Sequence, residues 1–154
     1  MYCLVTTKSE LEANLDHIVP AARTMLRRTG EHGQNCETII KMMFSFVGDN
    51  GYLLLAFNDD TNDFEGFLFA VCVPTTEPWI EVIAISTKPK FATKVMIEVN
   101  DMLKSWAKSK GATKMVTVLT RKSINDKYPG EQFYEFFHKK LGYEVTGILL
   151  EAKL

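Results

Sequence analysis

The sequence predicts an α/β fold: a central sheet that is mixed and mostly antiparallel, contains one parallel pair, and is flanked by helices. Three observations carry that expectation. Short β-branched and aromatic runs, "YLLLAF", "FLFAVCV" and "WIEVIAI", follow one another across polar turns, which is the rhythm of an antiparallel meander. A long amphipathic stretch, residues 94–110, then separates the run at 79–85 from another at 114–120, and two strands joined through a helix of that length lie parallel by a right-handed crossover. At 154 residues, 46% apolar and 24% charged, the chain has the size and balance of one domain with a two- or three-layer core. No repeat, low-complexity tract or linker divides it, so residues 1–154 read as a single domain.

The elements follow in order. "YCLVTT" at 2–7 is a first strand. Ser9 reads as the cap of a helix through "ELEANLDHI", with Glu12 completing a capping box three residues on. Pro20 has no N–H to donate and is expected to kink or restart that helix before "AARTMLRR". After the loop "TGEHGQN", Asn35 caps "CETIIKMMFSFV", whose Ile39, Ile40, Met43, Phe44 and Val47 share one face. "GDNG" at 48–51 turns the chain into the meander, "NDDTNDFEG" is a polar hairpin connection, and Pro74 closes the strand before it reaches "PTTEP". On the crossover helix Val95, Val99, Met102 or Leu103, and Trp106 recur every three to four residues, and Gly111 ends it. "EQFYEFFHKKLG" is a last helix with Phe133, Phe136, Phe137 and Leu141 inward, and "YEVTGILLEAKL" the closing strand.

Composition removes several function classes. A formal charge of -1 provides no general attraction for nucleic acid, and the chain lacks a basic surface interleaved with aromatics, so no nucleic-acid partner is expected. No apolar run approaches 18 residues and the N-terminus lacks a secretion signal, so no membrane partner is expected and the residence is read as cytoplasmic. Cys3, Cys36 and Cys72 form no CxxC pair and are expected to be buried thiols of a reducing compartment. His17 and His32 are too scattered to make a metal site with them.

The element order, together with "LKSWAKSKGATKMVTVL" and the turn in "FFHKKLGYEVTG", resembles the GCN5-related N-acetyltransferase superfamily over nearly the whole chain. The resemblance implies acetyl-CoA lying in the splay of the two parallel strands, its pantetheine arm paired with backbone groups of Val82, Ile83, Ile85 and Ser86, and its pyrophosphate held by the loop that follows. The acceptor would be an amine, of a small molecule or of a protein. Positions matching the family's Arg-Gly-x-Gly-x-Gly/Ala loop are Phe91, Ala92, Thr93, Lys94, Val95 and Met96, so every expected glycine is replaced. A side chain there occupies the anion's space or turns an amide away. Lys88, Lys90 and Lys94 offer side-chain charge instead, Thr93 a hydroxyl, and Ala92 the smallest side chain at a former glycine. Six lysines against two acids between residues 88 and 110 make the segment basic, which is equally the ordinary polar face of a surface helix.

For the chemistry, Glu81 is the candidate base, expected to share a face with Ile83 and Ile85; its ordinary alternative is an ion pair with a surface lysine. The family's acid tyrosine maps, counting back four from Gly142, onto His138, and Tyr134 lies one turn earlier as a second donor. The ordinary alternative for both is to flank the sheet. Asp59, Asp60 and Asp63 place acid on a hairpin tip, where solvation alone explains them. Two readings follow: an N-acetyltransferase with a non-standard phosphate loop, or a catalytically inactive protein of this fold kept as a binding or assembly module. In the second, the partner is a protein. The eroded loop also resembles compact virus-encoded proteins, which extends the second reading to a phage-encoded virion or host-takeover protein in the host cytoplasm. A homodimer is the oligomer that the resemblance implies.

Overall fold

The computed structural model describes residues 1–29, 35–88, 92–117, 139–144 and 146. Its elements are β1 (Tyr2–Val5), α1 (Lys8–Ala13), α2 (Leu15–Thr29), α3 (Cys36–Phe46), β2 (Gly51–Phe57), β3 (Phe64–Val73), β4 (Trp79–Thr87), α4 (Ala92–Ser109) and β5 (Met115–Thr117). The sheet order is β1-β2-β3-β4-β5. The first three pairings are antiparallel. The last is parallel, with Ile80 opposite Met115, Glu81 opposite Val116 and Val82 opposite Thr117. The expected fold class, with its parallel pair spanned by a crossover helix, is therefore the one observed.

Local chemistry explains the element boundaries. The capping box sits two residues earlier than expected: Thr7, in extended conformation, accepts from the Glu10 amide, and Glu10 reaches back to the amides of Thr6 and Thr7. Ser9 and Glu12 therefore lie within the helix, and the first strand stops at Val5 because Thr6 and Thr7 are drawn into the cap. Those same hydrogen bonds hold the Glu10 carboxyl below its usual titration range. The helix breaks at Asn14 rather than at Pro20. The Asn14 amide donates to the Leu11 carbonyl, its side chain donates to the Glu10 carbonyl, and its own carbonyl accepts the first bonds of α2. Pro20 sits inside α2, where its missing N–H removes one helical bond without ending the helix.

Other boundaries match expectation. Asn35 accepts from the Thr38 amide at 2.8 Å and starts α3. At the end of α4, Gly111 takes φ +71°, the Ala112 amide donates to the Ala107 carbonyl, and the Gly111 amide donates to the Lys108 carbonyl. That pair of bonds is a Schellman closure, which needs a residue able to adopt the left-handed conformation. Gly48, at φ +91°, turns α3 toward β2, and a Cβ there would stand 2.7 Å from the Thr6 carbonyl.

The two faces of the sheet carry separate cores. On one face α1, α2 and α3 bury Leu11, Ile18, Ile39 and Met43 against Leu53, Leu55 and Phe69. On the other, α4 is the one helix among the described residues, and it buries Val99, Leu103 and Ala107 against Leu54, Leu68, Ile80 and Val82. Each fully buried aliphatic or aromatic side chain contributes roughly 1.5–3 kcal/mol by leaving water. The cysteines depart from expectation: Cys72 is buried, Cys36 is half-buried, and Cys3 is exposed because β1 is an edge strand. The last predicted helix lies outside the described residues up to 138, as does most of the closing strand. Among the described residues no helix is long and apolar enough to cross a membrane, and no cluster of metal-binding side chains occurs.

Candidate functional site

β4 organises the site. Ile80 and Val82 pack beneath α4, so alternation turns Trp79 and Glu81 toward the α2 side. Ala70 then pairs with Val82 while Phe69 pairs with Ala84, which leaves Ile83 as an extra residue in a β-bulge. The bulge reverses the phase. Ile83 and Ala84 both pack with the three-helix core, and Ile85 returns to the α4 side. The expectation that Glu81, Ile83 and Ile85 share a face is thus corrected for Ile85, since a period of two holds only along an unbroken ladder.

Glu81 is half-buried and lies between Val71 of β3 and Val116 of β5. Its carboxylate makes no hydrogen bond or ion pair among the described residues, so the lysine partner considered for it is absent there. Further along β4, the Ser86 hydroxyl donates to the Ala21 carbonyl at 3.1 Å and ties this end of the strand to α2. The Lys88 amide donates to the Glu65 carbonyl at 2.9 Å and fixes where the loop departs, while the Lys88 side chain is exposed. Strands β3 and β4 come close together here: a Cβ on Gly66 would stand 2.1 Å from the Ser86 carbonyl oxygen. The last described β4–β5 pair is Val82 with Thr117, directly before the bulge.

Ala92, Thr93 and Lys94 form the first turn of α4, so the helix N-terminus stands at the end of the loop, as expected. Lys90, Tyr134 and His138 lie outside the described residues. Met96, which stands where a small residue was expected, is buried against Leu141, with Ile85 and Tyr143 packed beside it. Its bulk is thus taken up by the core. Gly142 takes φ +74° in the "KKLGY" turn.

One polar feature escaped the sequence reading. Asn100 sits on the buried stripe of α4 at 4% exposure; its Oδ1 accepts from the Tyr143 hydroxyl at 3.4 Å, and its Nδ2 has no partner among the described residues. Burial pushes the Tyr143 hydroxyl up to about 12. The available signal was the asparagine itself, set between Val99 and Leu103 on an apolar stripe. At the opposite edge of the α4 face the Tyr2 hydroxyl donates to the Glu98 carboxylate, and burial, reinforced by that bond, raises its pKa. His17 stacks on Phe64 at 5.2 Å between ring centroids and meets Phe57 edge-on, which accounts for it as packing.

No protein-family model and no curated protein matches the chain. Solved structures do. An aminoglycoside 6'-N-acetyltransferase in complex with CoA superposes with a TM-score of 0.67 at 15% identity, covering 100% of this chain and 95% of that one. The fold is that of the GCN5-related N-acetyltransferases. An acetyltransferase of Trypanosoma brucei (TM-score 0.62, 16% identity, 100% of both chains) shares this acetyltransferase fold. So does the aminoglycoside 6'-N-acetyltransferase AAC(6')-Ih of Acinetobacter baumannii (TM-score 0.62, 16% identity, 100% of this chain and 98% of that one).

Proposed function

We propose that the chain is an acetyl-CoA-dependent N-acetyltransferase acting on a primary amine. The observation that carries the reading is the bulge at Ile83, which bends β4 immediately after its last described pair with β5 and two residues from the half-buried Glu81. Bulges concentrate next to active sites because they turn backbone groups out of the ladder. The backbone of Val82, Ile83, Ile85 and Ser86 is the segment that would hold the pantetheine arm. Ala92, Thr93 and Lys94 at the α4 N-terminus, with Lys88 and Lys90, would hold the pyrophosphate by amide dipoles and side-chain charge.

In this reading the amine nitrogen attacks the thioester carbon, the C–S bond breaks, and Glu81 takes the proton that the nitrogen sheds. His138, or Tyr134 four residues before it in the sequence, would return a proton to the departing thiolate. The glycine-free loop supports the second reading, an inactive member of the fold held as a binding module. Calorimetric titration with acetyl-CoA and CoA separates them. Saturable binding, weakened at least tenfold and made less salt-sensitive when Lys88, Lys90 and Lys94 are all changed to Ala, supports the enzyme. Glu81→Gln is then expected to lower kcat by about 10²–10⁴ with CoA affinity unchanged. Absence of heat at millimolar ligand overturns the enzyme reading.

A further inference from the structure

At the start of β4, on its Trp79 edge, the connection from β3 and the end of the crossover form an open groove of about 430 Å³ lined by Thr75, Thr76, Glu77, Trp79, Thr113 and Lys114. That volume suits a small molecule. Its walls are held by backbone bonds: the Thr113 amide donates to the Pro78 carbonyl at 3.3 Å and the Ile80 amide to the Lys114 carbonyl at 3.0 Å. The Thr75 hydroxyl donates to the Glu77 carbonyl at 2.8 Å. The groove is therefore shaped before anything enters it.

Its charges come from the exposed side chains of Lys114 and Glu77. Lys114 holds its ammonium 5.6 Å from the centre of the Trp79 ring. Neither Lys114 nor Glu77 forms an ion pair, with each other or with any other side chain among the described residues. A free cation on an aromatic floor fits an anionic group whose carbon framework lies along the ring. Met115 packs beneath α4, so Lys114, like Trp79, faces the α2 side, and Glu81 lies two residues further along β4 on that same face. Two residues of strand span roughly 7 Å.

We propose that this groove is the acceptor subsite for a primary amine whose ammonium lies roughly 7 Å from a carboxylate or phosphate. The anionic end sits on Lys114, hydrogen-bonded by the Thr76 and Thr113 hydroxyls, since the Thr75 hydroxyl is already engaged with the Glu77 carbonyl. The framework crosses Trp79, and the amine arrives beside Glu81. Glu77 repels a second anionic group at the mouth. The inference rests on the acetyltransferase reading for its chemistry, while the binding itself needs no acetyl-CoA.

The test reads binding from Trp79 fluorescence. Trp79 and Trp106 are the two tryptophans of the chain, so Trp106→Phe leaves one reporter in the groove. The probes are 6-aminohexanoate, 3-aminopropyl phosphate and hexylamine. At least one of the two anionic amines is expected to bind ten times or more tightly than hexylamine, and the better one identifies the anion. Lys114→Ala should weaken that probe at least tenfold and leave hexylamine unchanged, while Glu77→Gln should tighten it. Equal binding of hexylamine, indifference to Lys114→Ala, or no binding by any probe overturns the subsite. Binding that follows these rules without acetyl transfer overturns the enzyme reading and leaves the subsite standing.

Discussion

The two faces of the sheet differ in how they are covered. Three helices close one face around Phe69, Leu53 and Leu55, with Ile18, Ile39 and Met43 fully buried. Among the described residues a single helix covers the other, and it brings a buried asparagine, a carboxylate bound to the Tyr2 hydroxyl, and three exposed apolar residues nearby: Leu4 (44%), Ile97 (38%) and Met102 (37%). The first face holds the fold together. The second carries the crossover, whose helix must present its N-terminus at the loop, and it accepts polar groups that a fully packed layer would exclude.

Breaking either core tests that difference. Phe69→Ala is expected to cost about 3–5 kcal/mol in denaturant unfolding, and Leu103→Ala under α4 about 2–5 kcal/mol. If α4 packs more adaptably, Leu103→Ala falls at the low end of its range, because a layer that can collapse leaves a smaller cavity. Equal losses at both sites would erase the distinction. A smaller effect of opposite sign is expected at Asn100. Replacing it by Leu removes a buried donor with no partner among the described residues and one long hydrogen bond, so stability should hold or rise by about 1 kcal/mol. A loss above about 1 kcal/mol would show that Nδ2 does have a partner, such as a buried water.

The smallest effect belongs to Glu10, on the densely packed side. Its native pKa is depressed by the Thr6 and Thr7 hydrogen bonds, so the stability it supplies is full above the ordinary glutamate pKa of about 4.3. That contribution disappears as pH falls through the lower native value. Acid unfolding of Glu10→Gln should lack this component, and a curve parallel to the parent's would show that the cap is energetically idle.

Much of the architecture was legible in the sequence because period and punctuation are local. The apolar rhythm of "YLLLAF", "FLFAVCV" and "WIEVIAI" required a meander, Asn35 its cap, and Gly111 its Schellman turn. The crossover followed from the length of α4 between two strands. Choices between near-equal neighbours were less legible: Thr7 and Ser9 both precede a glutamate by three residues, and only the path of the chain out of β1 favoured Thr7. For the candidate site, the sequence offered residues but no geometry. Glu81 could be singled out from its strand, but the unbroken apolar run "IEVIAI" gave no local sign of the bulge, which arises from fitting β4 against β3.

By itself, then, the sequence determined the elements, their order, the parallel pair and the loss of glycine from the loop, since each depends on residues near one another in the chain. Tertiary structure decided which face each β4 side chain occupies, that Met96 is absorbed by the core, and that Trp79, Glu77 and Lys114 share a groove. Those outcomes depend on packing between segments distant in sequence, where strand register and burial override the local period.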